Sequence, residues 1–224
     1  HTPVSACVVV MRPNTGEILA LSNRPTFDPN KPGDSTAANR RNRVVTDMYE
    51  PGSTFKIVAV SGALNEGVVR LSDRFNCENG NFYFAGKVLR DHHAYSDLSV
   101  EEIITKSSNI GTAKVAMRLG ANRFHRYISH LGFGVKTGIS LPGEVSGMLH
   151  PLHKWNKLSI SRIPMGHEIA ATPIQLVLAM SAVANGGNLM RPILVDKLTD
   201  RDGNIVVDYP NAVVRKAIRS ETAQ

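Results

Sequence analysis

Cysteine is scarce in this chain, with two in 224 residues, and aromatic side chains fill only 6% of positions. Cys7 and Cys77 form no C-x-x-C pair and have no ligands at zinc spacing, which excludes a structural zinc site and a disulfide framework. A single Cys7–Cys77 bridge stays open. Long apolar runs are missing as well. Nothing approaches the roughly 20 residues of a membrane-spanning helix, and no signal-peptide pattern opens the sequence. Acidic residues are outnumbered, 19 against 26 Lys and Arg, for a net charge of +7 that favours anionic partners. Yet the densest basic stretch, Asn39-Arg40-Arg41-Asn42-Arg43, has no interleaved aromatics and fits no nucleic-acid motif. His92-His93 and the His150, His153 pair lack acidic or thiol companions at metal-ligand spacing. No nucleic acid, no metal and no cofactor are expected.

The content that is present, 42% hydrophobic and 20% charged, suits a globular domain with a sizeable core. SACVVVM (5–11) and EILALS (17–22) flank a Pro/Asn/Gly turn and predict a β-hairpin, with Cys7 in the core. Residues 24–52 read as a long excursion and 70–97 as irregular. A helix is predicted from near Ser53 to Gly67, and Ser99 with Glu102 spells a capping box for a short one. Further helices are predicted over 109–119 and 122–131. Thr172-Pro173 opens another that ends at Gly186-Gly187. PILVDKL and NIVVDYP flank Asp202-Gly203 as a second hairpin.

Two short patterns carry chemistry. In Glu50-Pro51-Gly52-Ser53-Thr54-Phe55-Lys56 a serine stands where a turn enters a helix, with a lysine one turn further in. Positions i and i+3 share a helix face, about 5–6 Å apart at their β-carbons. A serine hydroxyl needs a neighbouring base to become a good nucleophile. A lysine can be that base only if burial or nearby positive charge lowers its pKa from about 10.4. With 17 serines and 10 lysines in the chain, roughly one S-x-x-K is expected by chance, so Ser53 and Lys56 alone decide little. The second pattern, Lys106-Ser107-Ser108-Asn109, precedes a helix. In an extended segment Ser107 and Asn109 point the same way, offering a hydroxyl and a carboxamide to one cleft. Read alone, they are ordinary helix caps.

Taken together, Ser53-x-x-Lys56 and Ser107-x-Asn109, 54 residues apart, resemble the transpeptidase domain of penicillin-binding proteins. VVVMRPNTGEILALSNRPTFDPN, YEPGSTFKIV, LGFGVKTGISLPGE and ATPIQLVLAMSAVANGG extend the likeness over nearly the whole sequence. The monofunctional class B proteins of cell division or elongation are the most similar. The resemblance implies an α/β (α+β) fold, an antiparallel sheet flanked by helices. It also implies Ser53 as nucleophile, Lys56 as base, Ser107 as proton shuttle and Asn109 as holder of the substrate amide. The substrates it implies are peptidoglycan stem peptides ending in D-Ala-D-Ala, with β-lactam antibiotics as covalent mimics. Cell-wall synthesis or division proteins are implied as partners, at the outer face of the cytoplasmic membrane, with the anchor outside this chain. A serine β-lactamase and a β-lactam sensor are the alternatives. Ser108 departs from the S-D-N of class A β-lactamases.

That family carries a third motif, Lys-[Ser/Thr]-Gly, on a strand lining the cleft. Lys136-Thr137-Gly138 spells it only 29 residues past Ser107, flanked by Gly134 and Pro142-Gly143 and without a β-rich run. It reads as a family loop. Residues 1–224 are therefore expected to supply one edge hairpin and most of the helical region of a single domain, with the third motif and three further strands beyond Gln224. Alone, the 224 residues are expected to be unstable and nearly inactive. Robust penicillin acylation of the isolated chain would overturn this.

Overall fold

The computed structural model describes residues 3–224. The predicted hairpin forms from β1 (Ala6–Met11) and β2 (Ile18–Arg24), antiparallel, with a register shift at Val10/Met11. The excursion that follows carries only short turns and helices, two of whose residues, Val44 and Val45, are fully buried.

The core is helical. A 3-10 turn, Gly52–Phe55, leads directly into α1 (Lys56–Asn65). Around α1 pack α2 (Val100–Thr105), α3 (Asn109–Leu119) and α4 (Ala121–His130). Seven of the ten residues of α1 are buried, on all sides of the helix, which is why its sequence shows no amphipathic stripe. Gly62 makes this possible, because a β-carbon there would press into Leu119 and the Tyr127 ring. Leu119 and Tyr127 are themselves buried in the same core. Ser99 caps α2 with the expected reciprocal box: its hydroxyl accepts the Glu102 N–H, and its own N–H donates to the Glu102 carboxylate. Thr172 and Gln175 do the same for α5 (Pro173–Ala184).

The segment read as irregular contains β-structure instead. β3 (Arg74–Asn76) pairs with β6 (Asp97–Ser99), and β4 (Asn81–Phe84) pairs with β5 (Lys87–Arg90) in a hairpin. These strands are three or four residues long, too short for an alternating pattern to emerge from the sequence. Two-residue strands at Met148–Leu149 and Ile169–Ala170 also pair. Near the end, Asn188–Met190 pairs with Val213–Lys216, and Lys197–Thr199 with Ile205–Asp208 around the expected turn. Among the described residues each sheet has two strands. Cys7 and Cys77 are both free thiols, and Cys7 is half-buried rather than a full core residue.

Candidate active site

The Ser53 turn is held from two sides. Upstream, Tyr49 exchanges both backbone hydrogen bonds with Ala171. The Glu50 carboxylate accepts the Glu168 N–H at 3.0 Å and lies 3.0 Å from His167 Nδ1. The His167 hydrogen bond, followed by that from the Glu168 backbone, holds the Glu50 carboxyl below its usual range. Glu168 is anchored in turn by Ser159 and Arg162, at 2.7 and 3.0 Å. A cleft of about 420 Å³ opens here, lined in part by Glu50, Lys87, Leu89 and His167. From the other side Gly166, in the left-handed region, packs on the backbone of Gly52, where a β-carbon would collide with the Gly52 nitrogen and oxygen. Gly166→Ala is therefore expected to cost more than about 1 kcal/mol from the backbone conformation alone. Displacement of Gly52 should also slow any reaction at Ser53; a thermal melt and a rate measured on the folded fraction separate the two effects.

Ser53 itself is exposed, whereas Lys56, one turn later, is only 2% exposed. The Lys56 amine reaches across to the turn between α2 and α3. It donates to Ser107 Oγ at 2.9 Å, to Asn109 Oδ1 at 2.8 Å and to the Ser107 carbonyl. Burial lowers the Lys56 pKa from 10.5 to about 8, with the nearby Asp91 carboxylate acting in the opposite direction. A lysine so placed is partly neutral near physiological pH and can accept a proton.

Three of the four residues singled out in the sequence thus meet at one amine, with Ser53 one helical turn from it. The route to that meeting differs from expectation. The 107–109 segment is not extended: Ser107 has φ +56, and Ser108 is the N-cap of α3, accepting the Gly111 N–H at 2.9 Å. The side chains of Ser107 and Asn109 converge through a left-handed turn, not through strand alternation. Sequence reasoning missed Asp91, which accepts hydrogen bonds from the Asn109 and Ile110 N–H groups and from Ser108 Oγ. It also missed Gly166, Glu168 and His167.

Lys136-Thr137-Gly138 lies in an irregular segment after a turn and on no strand. The Glu144 carboxylate, 9% exposed, gathers the Thr137 N–H and hydroxyl and the Gly138 N–H, closing the loop. Lys136→Ala is accordingly expected to leave covalent penicillin labelling unchanged; loss of labelling in a folded variant would contradict the loop assignment.

This pair of motifs, an exposed serine and a buried lysine on a helical core beside a hairpin, is the grouping that serine acyl transfer requires, and likeness to known proteins makes the family specific. Residues 6–224 match the model of the penicillin binding protein transpeptidase domain, and the chain belongs to that family. It is 37% identical over 197 residues to the probable peptidoglycan D,D-transpeptidase PenA of Neisseria meningitidis, covering 88% of this chain and 33% of that protein. Stage V sporulation protein D of Bacillus subtilis is 35% identical over 224 residues, covering 99% of this chain and 35% of the relative. Among solved structures, penicillin binding protein 3 of Mycobacterium tuberculosis in complex with aztreonam superposes with TM-score 0.89 at 27% identity. That match covers 98% of this chain and 49% of the other. The chain spans about a third of the length of these curated relatives.

Proposed function

We propose that this chain carries the acylation machinery of a peptidoglycan D,D-transpeptidase. The observation that carries the reading is the buried Lys56 amine, bonded to Ser107 and Asn109 and one turn from an exposed Ser53. In this reading Ser53 Oγ attacks the carbonyl of the penultimate D-alanine of a stem peptide, and its proton passes to Lys56 Nζ. The first N–H groups of the Ser53 turn, which a helical start leaves without intrahelical partners, would stabilise the developing oxyanion. As the tetrahedral intermediate collapses, the C–N bond breaks and the proton returns through Ser107 to the leaving D-alanine. An amine from a second stem then attacks the acyl-Ser53 ester, forming the cross-link and regenerating the hydroxyl. Asn109 holds the substrate amide.

A β-lactam would enter the same path, but its leaving nitrogen stays tethered after ring opening, so the adduct persists. Solved relatives in complex with aztreonam and with ampicillin support this ligand class. The relatives' names support peptidoglycan as the polymer. We further propose a place at the outer face of the cytoplasmic membrane, beside cell-wall synthesis or division proteins. Among the described residues no helix is long and apolar enough to cross a membrane.

The direct test is release of D-alanine from a peptide ending in D-Ala-D-Ala by the protein as its gene encodes it, together with a long-lived penicillin adduct. Rapid penicillin turnover would instead favour a β-lactamase. The rate should also depend on pH. The base must be neutral, so acylation is expected to rise about tenfold per unit below the Lys56 pKa. It should level off above that value, about 8. A flat profile from pH 6 to 9 would remove Lys56 as the base.

A further inference from the structure

Asp91 sits at the end of the β4–β5 hairpin, 16 residues before Ser107 in a stretch with no catalytic motif. We propose that Asp91 is the positioning residue of the second motif, holding the Ser107–Asn109 turn in the conformation that lets both side chains reach Lys56. The inference rests on the reading of Ser53, Lys56, Ser107 and Asn109 given above.

Ser107 occupies a backbone region that a non-glycine residue rarely adopts, so something outside the turn must hold it there. The Asp91 carboxylate does so from the following three residues. Its Oδ2 accepts the Ser108 hydroxyl at 2.7 Å, and its Oδ1 accepts the N–H groups of Asn109 and Ile110 at 2.5 and 3.0 Å. An anionic acceptor suits this place, because the first N–H groups of α3 have no partner within the helix and carry the positive end of its dipole. The neighbouring residue completes the arrangement. The Arg90 carbonyl accepts the Asn109 side-chain NH2 at 2.8 Å, which turns Asn109 Oδ1 toward the Lys56 amine. One short segment therefore sets the turn and the orientation of the amide.

Asp91 also brings charge. Its carboxylate supports the protonated form of Lys56 against burial. Other titratable groups stand on the elements packed here. His92 and His93 follow Asp91 in the chain, and Cys77 lies 3.6 Å from Ser108 Oγ. The Cys77 thiol, pushed up by burial, senses Asp91, Lys114 and Asp97. Lys114 is bound by Glu78 and Lys106 by Glu102; among the described residues, Asp91 is the charge that acts on Lys56.

The test is the rate of covalent labelling by a fluorescent penicillin between pH 6 and 9.5, using the protein as its gene encodes it. The wild type is compared with Asp91→Asn and Asp91→Glu, and Ser53→Ala serves as control. Each rate constant is taken from the approach to its own final amplitude, so that a smaller folded fraction does not enter it. Asp91→Asn keeps the shape but loses the charge. Its rate should fall on the order of tenfold to a hundredfold, as for a misplaced catalytic group. Its rising pH limb should move below that of the wild type. Asp91→Glu, which keeps the charge, should return the midpoint to the wild-type position. A rate loss that disappears on amplitude normalisation, or an unmoved midpoint in Asp91→Asn, overturns the proposal. Labelling that survives in Ser53→Ala overturns the underlying site assignment instead.

Discussion

Ser53→Ala should abolish covalent labelling by penicillin while leaving the fold intact. The substitution removes the one oxygen that becomes the ester, and no neighbouring group can replace it. Thr54 follows directly, but its hydroxyl donates to the Pro51 carbonyl at 2.8 Å and is committed to the turn. Ser107 is already bonded to the Lys56 amine. Because Ser53 is exposed, its truncation removes no core contact, and the stability change should stay within about 0.5 kcal/mol. A melting curve matching the wild type, beside a blank fluorescence gel, is the expected pair of results. A labelled Ser53→Ala protein would place the nucleophile elsewhere.

Lys56→Met should be nearly as severe in rate and, unlike Ser53→Ala, should raise stability. Methionine fills a similar volume but cannot take a proton, so acylation should fall by about 10²–10⁴, the range for loss of a general base. Lys56→Arg should not rescue it, since a guanidinium stays charged at any working pH. The stability effect follows from linkage. The folded-state pKa of Lys56 is about 8, below its ordinary 10.5. Between these values the unfolded chain binds the extra proton, so this lysine's contribution to stability rises with pH across that window. Below pH 8 the full penalty of a buried ammonium applies. Lys56→Met should therefore melt higher than the wild type near pH 7, with the gap narrowing toward pH 10. A gap independent of pH would mean that Lys56 is not depressed in the folded state.

The parts of this site that are local in sequence were legible; the parts made by tertiary contact were not. The Ser53 turn and its helix, the first hairpin and the Ser99 and Thr172 boxes each follow from neighbouring residues. Ser53, Lys56, Ser107 and Asn109 were legible through the resemblance of their motifs, and of the stretches around them, to a known family. What brings them together was hidden. Lys56 becomes a plausible base only when α2, α3 and α4 close over α1, an arrangement that no i+3 rule contains. Ser107 takes a left-handed conformation that nothing in its own identity signals. Asp91 reaches α3 from a hairpin whose strands are too short to announce themselves, and Glu50 meets His167 across 117 residues. The Lys136 motif is the converse case. Its letters fit a catalytic strand, but Glu144 folds them into a closed loop.

Under the proposed function, Ser53 Oγ is the atom that becomes acylated. Trypsin should release Val44–Lys56 as one peptide, cutting after Arg43 and Lys56, with Ser53 as its only serine. Mass spectrometry of the penicillin-treated protein, digested and fragmented, locates the acylated residue most directly. A penicilloyl adduct on Val44–Lys56, localised to Ser53, is the expected result. An adduct on any other peptide, or on Thr54 or Thr46 within this one, would contradict it.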